Sequence, residues 1–142
     1  DFEGQAAMLL ESVADRDISG SYPLPLVPGS PAQLDWRPLF ARLWSDRNSG
    51  VLPAAMSMRF HRALAEGITA IVRRHPTSPV LLCGGVFQNR LLCELVLELC
   101  DVPRRLMLPG RIPPNDGGLA AGQLAVASRR EGVLSVRPRG SD

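Results

Sequence analysis

"LLCGGVFQNRLL" (residues 81–92) brings an apolar run up to a bare glycine pair, then resumes through Gln88 and Asn89 into a second apolar run. A buried strand over Val80–Cys83, a loop at Gly84 and Gly85, and a helix with Leu91, Leu92, Leu95, Val96 and Leu99 on one stripe account for that order. "LPGRIPPNDGGLAAGQ" (residues 108–123) belongs to a second copy of the arrangement. There "RRLMLP" reads as the strand and Asp116 as the cap of a last helix. That helix is rich in alanine (Ala120, Ala121, Ala125, Ala127), a composition that lets helix and sheet approach closely. Strand, loop and helix in two successive rounds predict parallel strands with covering helices, an α/β arrangement.

Upstream of this pair the pattern is helical. Residues 3–16 put Ala6, Leu9, Leu10 and Val13 on one stripe. The proline- and glycine-rich run 19–33 reads as a loop or extended connector without packing of its own. Asp35 looks like the N-cap of a short helix on which Trp36, Leu39, Phe40 and Leu43 line up. After a break at Gly50, the longest helix is expected over about residues 53–74, with Met56, Phe60, Leu64, Ile68 and Ile71 as its buried stripe. His75-Pro76 ends it. Residues 1–136 then form one unit, with residues 137–142 as a frayed tail.

Composition narrows the chemistry. With 142 residues, 45% of them hydrophobic, the chain can bury one real core. Its net charge of +2 comes from arginines alone, because the sequence contains no lysine. That excludes a phosphate-loop lysine, a Schiff base and a lysine general base. The arginines are scattered or paired, not gathered in a dense basic stripe, so no nucleic-acid partner is expected. No apolar run is long enough to predict a membrane span. The acidic first residues are unlike a secretory signal, and a cytoplasmic protein is expected. Cys83, Cys93 and Cys100, spaced by ten and seven, match no structural zinc pattern.

In parallel sheets, ligands gather beyond the carboxyl ends of the strands, where helix N-termini point. Both glycine loops are expected at that edge. Bare glycines leave backbone N–H groups reachable, and a helix start adds unpaired donors and partial positive charge. Such a site suits phosphates or other anions. Asn89 adds a donor and an acceptor, and Asp116 a carboxylate at the same rim. Strand-Gly-Gly-helix also arises for steric reasons alone, so the residues by themselves stop at an anion- or nucleotide-binding α/β piece.

"GGVFQNRLL" (84–92) and "LPGRIPPNDGGLAAGQLAVA" (108–127), with "FEGQAAMLLE" (2–11) and "FHRALA" (60–65) before them, resemble the C-terminal part of the HypF family of hydrogenase-maturation carbamoyltransferases. The resemblance implies a multidomain enzyme that makes carbamoyl-adenylate from carbamoyl phosphate and ATP. It further implies passage of the carbamoyl group to the C-terminal cysteine of a partner, HypE. Its transferase domain is similar to the tRNA threonylcarbamoyl-transferases, with the duplicated actin/hexokinase/Hsp70-like (ribonuclease H-like) fold, and this chain would be roughly its second lobe. By position, Gly84, Gly85 and Asn89 match the family's nucleotide-contacting loop, and Glu3, Gly4 and Gln5 a further nucleotide-facing turn. Asp116 matches an aspartate that completes a divalent metal site, with Asn115 beside it.

One departure bears on activity. The family's HxxxH metal pair is missing, since the only histidines are His61 and His75. His61 reads as a packed histidine sooner than as a ligand. The metal's histidines would lie outside this chain, no catalytic residue is assigned within it, and the 142 residues alone are expected to be inactive. Two other readings remain: an O-carbamoyltransferase lobe, and a noncatalytic actin-like docking or dimerisation module. Half of a two-lobe fold would also expose apolar surface, so self-association is expected.

Overall fold

Helix α3 (Pro53–Arg73) organises the chain, because it is buried on two sides. The computed structural model describes residues 2–108, 110 and 112–130. One side of α3 carries Met58, Ala65 and Val72 into a core shared with Leu91, Leu92, Leu95 and Val96 of helix α4 (Arg90–Leu99). The other side places Ala63 with Tyr22 and Leu39 in a second, smaller core, where Phe60, Leu24 and Leu43 pack. The stripe expected from Met56, Phe60, Leu64, Ile68 and Ile71 is therefore displaced. Those residues flank the buried rows, and Ile71 is exposed, whereas Ala55, Ser57, His61, Gly67 and Thr69 are buried. A helix wedged between two cores needs small residues where neighbours come close. At Gly67 an added Cβ would stand 3.1 Å from Leu24 Cδ2 and 3.2 Å from Leu34 Cδ1.

The segment expected as an unpacked connector is part of that second core. It folds into an antiparallel ribbon, β1 (Leu26–Val27) against β2 (Gln33–Leu34), laid over α3. Tyr22, just ahead of the ribbon, is buried with Leu39 and Ala63, its backbone N–H on the Arg59 carbonyl. Helix α2 (Arg37–Asn48) follows, and Asp35 lies one position before its boundary residue, Trp36. The Asp35 carboxylate still accepts from the Arg37 backbone N–H at 3.1 Å. Of the expected α2 stripe only Leu39 is fully buried, while Trp36 and Phe40 lie out in solvent, edge to face. Gly50 and Val51 close α2 by donating to the carbonyls of Arg47 and Asp46, the Schellman pairing.

Helix α1 (Gln5–Ser12) packs on α3, but its apolar stripe is not buried. Leu10 is half-buried, and Leu9 and Val13 are exposed. Strands β3 (Val80–Leu81) and β4 (Leu106–Met107) pair in parallel, Val80 opposite Leu106 and Leu81 opposite Met107. Leu82 and Leu106 enter the main core, while Leu81, Cys83 and Met107 face outward. The fully buried strand expected over Val80–Cys83 is thus buried on one face only. Helix α5 (Leu119–Arg130) does not close over the other face, and Leu119, Leu124 and Val126 are exposed. The close helix–sheet approach read from its alanines is replaced by an open groove. No helix among the described residues is long and apolar enough to cross a membrane. Residues 131–142, including the tail expected to fray, lie outside the described residues.

Candidate functional site

Parallel pairing sends the loops after β3 and β4 off the same sheet edge. The first loop turns at Gly84, whose φ of +104° lies where a side chain would be strained. A 3₁₀ turn (Gly85–Gln88) and Asn89 lead from there into α4. The second loop reaches a 3₁₀ turn (Asp116–Gly118) that runs straight into α5. Gly118 is required there by space, since a Cβ would lie 2.7 Å from the Pro113 carbonyl oxygen. The loops are joined directly, the Gly84 N–H donating to the Pro114 carbonyl at 2.6 Å.

Between sheet and α5 lies an open groove of about 1060 Å³. Leu81, Cys83, Ile112, Pro113, Leu119 and Val126 make it largely apolar, with Asn115 and Gln123 as its polar side chains. A groove of this chemistry suits a flat ring or another protein surface better than a bare anion.

The start of α4 is also less open than its sequence suggests. Its Leu91 N–H donates to the Glu11 carboxylate at 3.1 Å, and its Leu92 N–H to Asn89 Oδ1 at 2.7 Å. A carboxylate already sits on that N-terminus, so the unpaired donors expected of a helix start are filled at these two positions. The exposed loop amides of Gly85 and Val86 donate to nothing among the described residues.

Asn89 is half-buried and works within the protein. Beyond capping α4 it donates from Nδ2 to His61 Nε2 at 2.9 Å. His61 is buried, with Nδ1 2.9 Å from the Ser57 carbonyl, as befits a packed histidine. Asn115, not Asp116, caps the last helical segment, its Oδ1 accepting from the Gly117 N–H at 3.1 Å. Asn115 lines the groove, whereas Asp116 is exposed and is not part of its lining. Glu3, Gly4 and Gln5 stand at the start of α1 and do not line it either. The structure therefore brings Gly84, Gly85, Asn89 and Asn115 to two touching loops and leaves residues 3–5 apart. Among the described residues no group of three or more His, Cys, Asp or Glu side chains could hold a metal.

Sequence reasoning passed over Glu11 and Ser57, which join α1 to α3 and α4. It also passed over the buried Asp46, held by Tyr22, Arg42 and Arg59. For Asn89 a signal was present: an asparagine directly before an apolar helical run marks an N-cap. Cys93 is half-buried, and its burial, followed by the nearby Glu11 and Glu94, raises the thiol above its usual range. It is a poor nucleophile as it stands.

Comparison with known proteins fits this geometry. A family model described as carbamoyltransferase, Kae1-like domain, second subdomain matches residues 1–123. The carbamoyltransferase HypF of Rhodobacter capsulatus is 37% identical over 134 residues, covering 91% of this chain and 17% of that protein. Its counterpart in Synechocystis sp. is 32% identical over 127 residues, covering 87% of this chain and 16% of that protein. A crystal structure of full-length HypF in the phosphate- and nucleotide-bound form superposes with a TM-score of 0.80 at 29% identity, over 91% of this chain and 18% of that one. The HypF of T. kodakarensis superposes at 0.71 with 25% identity, over 95% of this chain and 18% of that one. The α/β second-lobe reading stands on these matches, although the chain spans less than a fifth of the relatives' length. Two touching glycine loops beyond a parallel strand pair, set in a sequence matched from residue 1 to residue 123, place the chain in the HypF carbamoyltransferase family, as the second subdomain of its Kae1-like domain.

Proposed function

We propose that this chain is the nucleotide-binding lobe of a carbamoyltransferase. The enzyme would pass a carbamoyl group from carbamoyl-adenylate to the C-terminal cysteine of HypE, toward the cyanide ligands of nickel-iron hydrogenase. Within a chain of this family, the observation that carries the reading is the Gly84–Pro114 hydrogen bond, which holds both glycine loops at one edge. A relative whose structure is described as phosphate- and nucleotide-bound supports it.

In this reading the adenine lies in the apolar groove and the phosphate meets the amides of Gly85 and Val86. Gly84 ties the loops together and Asn89 braces the first of them. Asn115 presents its side chain at the groove's rim. Glu3, Gly4 and Gln5 join only across a cleft completed from outside the 142 residues. The partner's thiolate forms a C–S bond to the carbamoyl carbon, the C–O bond to the adenylate phosphate breaks, and AMP departs. Negative charge builds on the carbonyl oxygen during attack, and fixed N–H donors stabilise it best where water is excluded. Carbamoyl phosphate and ATP are substrates of the whole enzyme, which works in the cytoplasm.

The described residues do not by themselves fit a metal. Asp116 supplies a single carboxylate, and a divalent cation there needs its histidine ligands from elsewhere in the enzyme. The isolated chain is accordingly expected to show no carbamoyl transfer; detectable transfer would overturn the assignment of missing parts.

The test is a titration of the chain with AMP or ATP, following the backbone amides of Gly84, Gly85, Val86 and Asn89. Shifts confined to these loops and to groove residues are expected at millimolar nucleotide. Silence there would favour the second reading, a docking module, to which the apolar groove is also suited.

A further inference from the structure

His61 is 2% exposed and bonded to the foot of the first loop, and its hydrogen bonds have a fixed direction. The Ser57 carbonyl can only accept, so Nδ1, 2.9 Å away, must carry the ring proton. The Ser57 hydroxyl gives its hydrogen to the Leu10 carbonyl and thus also faces Nδ1, at 3.3 Å, as an acceptor. A neutral imidazole has one N–H, which leaves Nε2 as an acceptor for Asn89 Nδ2. The far end of the amide agrees independently. Asn89 Oδ1 accepts from the Leu92 N–H, which no amide nitrogen could do.

We infer that His61 is a positioning residue for the first loop. As the Nδ1–H tautomer it acts through Asn89, holding the amide that ties the loop to α4 and so fixing how Gly84, Gly85 and Val86 meet a ligand. The ligand rests on the nucleotide-lobe reading; the positioning does not. A proton on Nε2 would set N–H against N–H at Asn89. An amide flipped to relieve that would turn its nitrogen on the Leu92 N–H and uncap α4. A histidine that merely filled space would require no particular tautomer.

Nitrogen-15 imidazole spectra of the full chain test this, because it contains only two histidines. A protonated Nδ1 and a bare Nε2 are expected for His61; a proton on Nε2 overturns the inference. Two substitutions read the consequence through AMP affinity. His61→Leu keeps bulk but removes both polar contacts, and about tenfold weaker binding is expected from the lost hydrogen bond. His61→Gln keeps one donor and one acceptor and is expected to restore affinity to within about twofold. Equal weakening by both variants, with helical content intact, would mean packing alone and overturn the inference. Should His61→Leu not fold, Asn89→Asp serves, since it keeps the cap but faces Nε2 with an acceptor. Nε2 is then expected to gain a proton, and an unchanged ring spectrum overturns the inference. If the unsubstituted chain binds no AMP, the nucleotide reading fails while the ring spectra still decide the positioning.

Discussion

Tyr22 is the chain's only tyrosine, and its hydroxyl donates to Asp46 Oδ2 at 3.1 Å inside the smaller core. Burial first, and then the bond to Asp46, push its phenol above the ordinary value of 10.0. A group raised in the folded state stabilises the fold below its unfolded pKa, and that contribution is lost as pH rises through the folded value. Tyrosinate absorbance is therefore expected to appear only above about pH 10, together with unfolding. Titration at the ordinary value with the fold intact would contradict this. Asp46 also accepts from Arg59 at 2.8 Å, so Asp46→Ala leaves a partly buried guanidinium and a buried hydroxyl without their acceptor. A loss of about 3 kcal/mol in urea unfolding is expected. Three carboxylates paired with arginines behave oppositely. Arg37 beside Asp35, Arg90 and Arg16 beside Glu94, and Arg73 beside Asp101 hold each below its usual range. Groups lowered on folding stabilise above their unfolded pKa and lose that contribution as pH falls through the folded value. A decline in Tm is expected as pH drops below about 4, and it should shrink in added salt because the arginine partners face solvent.

The helix read most directly from sequence is α4, whose expected stripe of Leu91, Leu92, Leu95, Val96 and Leu99 packs into one core. Leu92 is 1% exposed, and Leu92→Ala is expected to cost about 3 kcal/mol, measured by denaturant midpoint. In the second loop, Gly118→Ala drives a Cβ against the Pro113 carbonyl. About 1–3 kcal/mol of destabilisation is expected, with shifted amides at Asn115 and Gly117. The parallel strands and both loops were legible because a buried strand stopping at glycine leaves few alternatives. Helix α3 was legible in extent but not in burial. A period of 3.6 assumes one buried face, and Ala63 and Gly67 add a second whose small residues carry little hydrophobic signal. The stripe of α1 shows the converse, since periodicity reports an apolar face and not whether anything covers it. The ribbon over residues 26–34 was hidden by prolines, which mark turns without revealing that Tyr22 and Leu24 pack between them. Among the candidate site residues, the two loops could be read from local sequence. The His61–Asn89 bond could not, because it joins positions 28 residues apart.

At the scale of the molecule, the uncovered apolar surface dominates. Phe2, Met8, Leu9 and Val13 are exposed at the α1 end, and Leu81, Met107, Leu119 and Val126 around the open sheet face. Sedimentation velocity of the isolated chain is expected to show mass rising with concentration above the 15.4 kDa monomer. A monomer at every concentration would mean that these faces are masked by contacts other than those described. The bond from Gly84 to Pro114 has a consequence for entry into the groove. It acts as a latch with a single hydrogen. A guest that pries the bends apart must release that hydrogen to water, where deuterium replaces it quickly, whereas one that slips in beneath leaves it guarded. The lifetime of one amide proton thus tells whether the gate swings or stays shut.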